Sequence, residues 1–301
     1  MNQTVMKTAI YLILIFSIFL SSCSKKLTDL QDLSPEQQTS AYKVVRDASY
    51  GSDAEQVMDV YLSQKAKSFG KRNFTVVFIH GGGYYFSDKS QEERYIEPYL
   101  RKGLNVVNLN YRLKRGIPLA TSDLTNALNY LEANNTKYGL NLDNVIVTGF
   151  SAGAHIATNV GFAQNNPEYP NRLDKGITIK GIINFSGPVD GVDVVERVFT
   201  DHENDQFKAV GKALFSSEGY ESKENIAIYE PITYFDPNDP PIFLWQGGLD
   251  DQIPPVTFER FVPMMRKGKD VRIIIPTGKH SPNQEEFEKA YIELFKFLDL
   301  L

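Results

Sequence analysis

The chain has 301 residues, 42% of them hydrophobic and 23% charged, with a formal charge of −5. At roughly 150 residues per domain that length allows one large or two small domains, and the composition is ordinary for a globular protein. A mildly acidic chain with no dense Lys/Arg run argues against a nucleic-acid partner, whose phosphates demand clustered cations.

The N-terminus stands apart. Lys7 precedes the charge-free run AIYLILIFSIFL, which ends at Leu20 and leads into SSC. A short basic region, about a dozen apolar residues and small residues before a cut describe a secretory signal, too short for a membrane-spanning helix. Leu20-Ser21-Ser22-Cys23 resembles a bacterial lipoprotein signal, which implies cleavage before Cys23 and lipidation of that residue. Cys23 is the only cysteine, so lipidation gives a purpose to a thiol that would be a liability in an exported protein. The expectation is a signal peptide over 1–22 and an exported protein held on a bacterial membrane through Cys23, with an uncleaved anchor as the alternative. Loss of Lys7 brings the mature charge to −5 − 1 = −6. Residues 23–40 are polar and read as a tether, with the folded domain over 41–301.

Strand and helix signals then alternate. VMDVYL (Val57–Leu62) alternates as a half-buried strand does, while TVVFIH (Thr75–His80) and VVNLNY (Val106–Tyr111) are continuous, as in strands covered on both faces. Leu124, Leu128 and Leu131 recur at helical spacing, with Asp123 placed near that helix's start. NVIVTGF (Asn144–Phe150) is a strand, followed by a helical SAGAHIATNVGFA. IKGIINFSG (Ile179–Gly187), PIFLWQGG (Pro241–Gly248) and VRIIIPTG (Val271–Gly278) complete the strands. Phe258, Phe261 and Met265 mark a helix between the last two. A closing helix carries Phe287, Tyr291, Leu294 and Leu298 on one face. Such alternation predicts an α/β fold, a mostly parallel sheet with helices on both faces, whose chemistry lies beyond the carboxyl ends of the strands.

At that edge Gly149-Phe150-Ser151-Ala152-Gly153 forms a G-x-S-x-G element between a strand and a helix. A sharp turn there exposes the serine hydroxyl, and the helix N-terminus points its N–H groups at the same spot. A serine nucleophile needs a base. Of the four histidines, His280 follows the last strand in a loop at the correct edge. His155 lies on the helix after Ser151 and reads as packed. His202 sits in a charged stretch, and His80 reads as a structural residue of the loop after its strand. The carboxylate that fixes the imidazole comes from the preceding loop, where Asp250 is preferred to Asp251, with Asp190 a weaker candidate. Ser…Asp…His is the chain order this motif predicts. The glycines of HGGGYYF then acquire a reason. A tetrahedral oxyanion needs preset donors, and the backbone N–H groups of Gly82, Gly83 and Ala152 can supply them. No clustered ligands at metal spacing appear, and no cofactor is expected.

HGGG at 80–83, NYRL at 110–113, GFSAGAH at 149–155, GGLDDQIP at 247–254 and the final GKH together resemble the α/β-hydrolase superfamily. Within it they are most similar to HGGG-type carboxylesterases, of the acetyl-xylan/feruloyl esterase-like and hormone-sensitive-lipase-like groups. The resemblance spans about residues 50–301. It implies an eight-stranded, mostly parallel sheet, a Ser151–Asp250–His280 triad, an oxyanion hole at Gly82, Gly83 and Ala152, and hydrolysis of carboxylic esters. Two positions depart from the pattern: KRGIP follows NYRL, and Gln246 stands where a histidine often opens the aspartate loop.

Tyr84 and Tyr85, with Phe86, either line an acyl or aryl pocket or pack on the core. Residues from about 189 to 235 are rich in charge and aromatics and are expected to form a small, partly helical cap. The expected substrate is a small-molecule or saccharide ester, such as a short-chain acyl, acetyl or feruloyl ester. A peptidase or amidase on the same fold, and a non-catalytic binding protein that kept it, are the competing readings.

Overall fold

The computed structural model describes residues 25–215 and 227–301. Eight strands form one sheet: β1 (Tyr42–Ser49), β2 (Val57–Ser63), β3 (Thr75–Ile79), β4 (Asn105–Leu109), β5 (Val145–Phe150), β6 (Ile179–Phe185), β7 (Ile242–Gly247) and β8 (Val271–Ile275). Their spatial order is β1-β2-β4-β3-β5-β6-β7-β8. Contacts β1/β2 and β2/β4 are antiparallel and the other five are parallel. The strands read as continuous apolar runs are the central ones. β3, β4, β5 and β7 are buried at every position, because helices cover both faces and leave no polar side.

Among the described residues the helices of six residues or more are α1 (Pro35–Ala41), α2 (Glu97–Lys102), α3 (Gly116–Ala133), α4 (Ala152–Ala163), α5 (Val192–Thr200), α6 (Asp205–Leu214) and α7 (Gln284–Leu298), and in place of one helix through Phe258, Phe261 and Met265 there are a four-residue helix (Val256–Glu259) and a 3-10 turn (Val262–Met264). One core lies under α3 and α4, around Ile117, Leu124, Leu128, Ile156 and Val160. The other lies under α2 and α7, around Tyr99, Phe287, Tyr291, Leu294 and Leu298. Burial of each such side chain contributes about 1.5–3 kcal/mol. An Asn283/Glu286 capping box starts α7, satisfying two N-terminal N–H groups that would otherwise lack partners.

One strand escaped the sequence reading, and two further expectations need correction. β1 reads YKVVRDAS, and its charges hid it; it is an edge strand with a register shift between Val45 and Ala48. Asp123 does not open its helix. α3 begins at Gly116, and Asp123 is fully buried inside it, binding the Arg112 guanidinium (2.7 Å), the Arg112 N–H (2.8 Å) and Gln56 Nε2 (2.8 Å). The anion does not face the helix dipole; it ties the NYRL loop and residue 56 to the helix. Finally, the polar N-terminal stretch is no free tether from Leu27 onward. The Leu27 side chain is fully buried, and Asp299 accepts hydrogen bonds from the N–H groups of Leu27 (2.6 Å) and Thr28 (3.0 Å). Asp32 pairs with Lys102 at 2.7 Å. Polarity there serves specific surface pairings rather than solvation. The signal-peptide residues and Cys23 lie outside the described residues. Among the described residues no helix is long and apolar enough to cross a membrane.

Candidate active site

Ser151 sits between β5 and α4 with φ 54° and ψ −119°. A non-glycine residue in this conformation carries strain that its surroundings must hold. The Ser151 N–H donates to the Phe185 carbonyl at 2.8 Å, and its carbonyl accepts from His155 N–H at 3.0 Å. The flanking glycines explain how the turn fits. A Cβ on Gly149 would lie 2.3 Å from the Gly153 carbonyl carbon, and one on Gly153 would lie 2.1 Å from the Ile79 carbonyl oxygen. The turn therefore packs backbone against backbone at both positions, which only glycine allows.

The three residues picked from separate loops converge. His280 Nε2 lies 3.0 Å from Ser151 Oγ, and His280 Nδ1 lies 2.8 Å from Asp250 Oδ2. An ionised Asp250 can only accept, so Nδ1 carries the proton and Nε2 faces the serine as the acceptor. Asp250 Oδ1 accepts from the N–H groups of Gln252 (3.0 Å) and Ile253 (2.9 Å), which fixes the carboxylate. The two loops that carry the pair are joined by backbone: Leu249 N–H donates to the Gly278 carbonyl at 2.8 Å. All three side chains are nearly buried, at 8% (Ser151), 4% (Asp250) and 7% (His280) exposure, so their interactions are little screened by water. Asp251 is exposed, and Asp190 pairs with Arg260 at 2.8 Å; neither reaches the imidazole.

Gly82 and Gly83 have φ of 97° and 60°. A Cβ on Gly82 would meet the Phe86 carbonyl oxygen at 1.9 Å, and one on Gly83 would meet Val210 Cγ1 at 2.5 Å. Among the described residues their N–H groups donate to no internal acceptor. They line the cavity that also holds Ser151 and His280, and Ala152 is the first residue of α4. The peptide just before them is pinned on both sides. The Gly81 carbonyl accepts from His80 Nδ1 (2.8 Å) and Tyr111 Oη (3.1 Å), while the Gly81 N–H donates to Glu92 Oε2 at 2.9 Å. His80 stacks on Tyr111 at 4.4 Å, and burial lowers its pKa to about 4, so it is a neutral structural ring at neutral pH.

His155 is also structural. Its Nε2 donates to the Tyr229 carbonyl at 2.9 Å, leaving Nδ1 to accept from the Tyr84 hydroxyl. Burial lowers its pKa to about 4. Tyr84 is thereby resolved as a buried residue that ties the glycine loop to α4, and its ring also bounds a small cavity beside Ser151. Tyr85 is half-buried under Lys114 Nζ, 5.0 Å from the ring, and lines neither cavity at Ser151. Phe86 lines the larger one. His202 is exposed. From the expected cap, α5 and α6 bring Phe199, Phe207 and Val210 to the cavity that holds Ser151; residues 216–226 of that segment, with Tyr220, lie outside the described residues.

Sequence reasoning missed two residues here. Ser186, with φ 56°, donates its hydroxyl to the His280 carbonyl at 2.8 Å and so holds the histidine loop. Glu92 lies on a short 3-10 turn (Lys89–Tyr95) and faces the same cavity. Burial raises its pKa to about 7, against the opposing pull of the Gly81 N–H and of the His280 ring. Only the strand end before Ser186 could have flagged that residue; nothing in sequence flags Glu92. Among the described residues, no group of three His, Cys, Asp or Glu side chains could hold a metal ion.

The model of the family designated BD-FAE matches residues 58–262. The chain belongs to the BD-FAE family. Curated relatives include endo-1,4-beta-xylanase B of Butyrivibrio fibrisolvens, 25% identical over 70% of this chain and 32% of that protein. Esterase LipC of Mycobacterium tuberculosis is 23% identical over 72% of this chain and 54% of its own length. The chain thus spans about a third to a half of the length of these relatives. Among solved structures, a bifunctional GH43-CE protein of Bacteroides eggerthii superposes with a TM-score of 0.66 at 23% identity, covering 85% of this chain and 38% of that one. Esterase B of Lactobacillus rhamnosis gives 0.65 at 19% identity, over 89% and 90% of the two chains. The fold of this BD-FAE member is the α/β-hydrolase fold, as the sheet order and the G-x-S-x-G turn imply.

Proposed function

We propose that this protein is a serine hydrolase that cleaves carboxylic esters. The observation that carries the reading is the hydrogen-bonded chain from Ser151 through His280 to Asp250, opening on a cavity lined by Gly82 and Gly83. Ser151 Oγ attacks the ester carbonyl while His280 Nε2 takes its proton. Asp250 supports the imidazolium. The oxyanion rests on the N–H groups of Gly82, Gly83 and Ala152, each worth about 2.7–4 kcal/mol in the transition state. His280 then protonates the leaving alcohol, and water activated by the same nitrogen releases the acid.

The leaving group departs on the side of His280. There the cavity measures about 380 Å³ and presents Gln91, Glu92, Gln252 and Ser281 alongside Phe199 and Phe207. Hydrogen-bonding side chains interleaved with aromatic rings suit a hydroxylated alcohol such as a saccharide, in keeping with the xylanase and GH43-CE names of two relatives. The test is hydrolysis of 4-nitrophenyl acetate and of acetylated xylan by the form that starts after Cys23. Asp250→Asn is expected to cut kcat by about 10³–10⁴-fold. Equal turnover by Asp250→Asn and wild type would remove the triad from the mechanism.

We further propose export and lipid anchoring through Cys23. Only Ser24, Lys25 and Lys26 separate it from the buried Leu27, so an anchored domain would sit close to the bilayer. Metabolic labelling with a palmitate analogue should mark the wild-type chain and not Cys23→Ala; equal labelling of both would refute the anchor.

A further inference from the structure

A second, smaller cavity also reaches Ser151. It is lined by Gly83, Ser151 and Ala152, and it does not touch His280. Its volume is about 20 Å³, little more than the ~10–15 Å³ that admits one water molecule. The walls come from Ile117, Val192, Val195, Phe199, Leu214 and Ile253. Ile117, Val195, Leu214 and Ile253 are at most 4% exposed. The polar side chains in its lining besides Ser151, those of Tyr84 and His155, are hydrogen-bonded to each other. The lining is therefore apolar in effect and closed at methyl size.

Geometry decides which end of an ester enters it. The leaving oxygen must face His280 Nε2, which protonates it, and the carbonyl oxygen must face the Gly82, Gly83 and Ala152 N–H groups. The acyl substituent is left pointing away from His280, and of the two cavities at Ser151 only the small one is not lined by His280. Resting on the ester-hydrolase reading above, we infer that this cavity is the acyl site and that it limits the acyl group to acetyl, so that the protein is a deacetylase rather than a feruloyl or longer-chain esterase. Val195 of α5 and Leu214 of α6 set the limit from the cap, while Ile117 and Ile253 close it from the main domain. The cap is seated firmly enough to do so: Val210 of α6 packs against Gly83 so closely that a Cβ there would lie 2.5 Å from its Cγ1. Close-packed interiors do not admit extra methylenes freely.

The test holds the leaving group constant. The 4-nitrophenyl esters of acetate, butyrate, hexanoate and ferulic acid are compared for the form starting after Cys23. The expected kcat/KM falls at least tenfold from acetate to butyrate, with hexanoate and ferulate lower still. Leu214→Ala should raise the butyrate-to-acetate ratio at least tenfold, and Leu214→Ile, of equal volume, should keep the wild-type ratio. Val195→Ala supplies the same widening from the other cap helix if Leu214→Ala does not fold. Butyrate or ferulate turned over as fast as acetate by wild type would overturn the acyl-size limit and leave the esterase reading standing. A widened cavity with an unchanged ratio would also overturn it. No turnover of any ester by folded protein would overturn both.

Discussion

Gly153→Ala separates backbone packing from chemistry at the nucleophile turn. The added Cβ would lie 2.1 Å from the Ile79 carbonyl oxygen and 2.5 Å from that of His80. Ordinary contact begins at about 3.4 Å, so the shortfall is 3.4 − 2.1 = 1.3 Å. Both obstructing atoms are backbone at the end of β3, a strand bonded to β4 and β5 on its two sides, and neither can rotate away. The N-terminus of α4 must move instead. It carries Ser151 and Ala152 away from His280 and from the glycine loop. A misplacement of about 1 Å costs on the order of 10²-fold in rate, and the overpacking costs about 1–3 kcal/mol in stability. The comparison is Gly161→Ala, farther along the same helix. Its Cβ would meet the Ile182 side chain, Cδ1 at 2.5 Å and Cγ1 at 2.6 Å. Ile182 is fully buried, so this substitution overpacks as well, at about 1–3 kcal/mol less the about 0.8–1 kcal/mol of helix propensity that alanine recovers, but the strain falls ten residues beyond Ser151. Ester turnover and thermal melts should show Gly153→Ala losing about 10²-fold in kcat/KM while Gly161→Ala stays near wild type. A folded Gly153→Ala with wild-type activity would refute the claim that this close approach sets the serine's position.

Three further outcomes are expected. Arg112→Ala leaves the fully buried Asp123 carboxylate without its cationic partner, held only by the residue-112 N–H and Gln56 Nε2, which costs about 3–5 kcal/mol by chemical denaturation; a loss below about 0.5 kcal/mol would contradict this. Glu92 has its pKa raised by burial to about 7 from an ordinary 4.5, so the stability it lends is full below the ordinary value and lost as pH rises through about 7. Glu92→Gln never ionises, and its melting temperature should therefore gain on wild type between about pH 5 and pH 8.5; a constant difference would show that the carboxyl does not titrate there. Asp299→Ala removes the acceptor of the Leu27 and Thr28 N–H groups, costing about 1–3 kcal/mol. Limited proteolysis should then cut near residue 27 much faster than in wild type, and an unchanged cutting rate would argue against that docking.

Much of the site was legible because catalysis on this fold constrains local sequence. Gly149, Ser151 and Gly153 must follow a strand and open a helix, and His280 must follow the last strand, so position alone separated it from three other histidines. The central strands showed themselves because burial on both faces leaves no polar position. What escaped was set by pairings distant in sequence. β1 is an edge strand whose charged side chains meet solvent and Asp59, and Arg46 Nη1 lies 2.6 Å from that carboxylate. Its pattern is that of a surface loop. Asp123 looked like a helix-start residue because acidic side chains favour that place, yet it is buried by a salt bridge that only the fold creates. Leu27 is one of three leucines, with Leu30 and Leu33, in an otherwise polar stretch, and its burial depends on Asp299 at the other end of the chain. Glu92 and Ser186 act by touching loops brought near by the sheet. No spacing in sequence records such contacts.

The proposed mechanism requires Ser151 to be a nucleophile activated by His280. A fluorophosphonate probe reacts at a serine only when its hydroxyl is activated, and intact-mass and peptide analysis locate the adduct. The expected result is one adduct, on Ser151, absent from Ser151→Ala and formed far more slowly in His280→Ala. Folded wild-type protein that takes up no probe, or carries it on another residue, would contradict it.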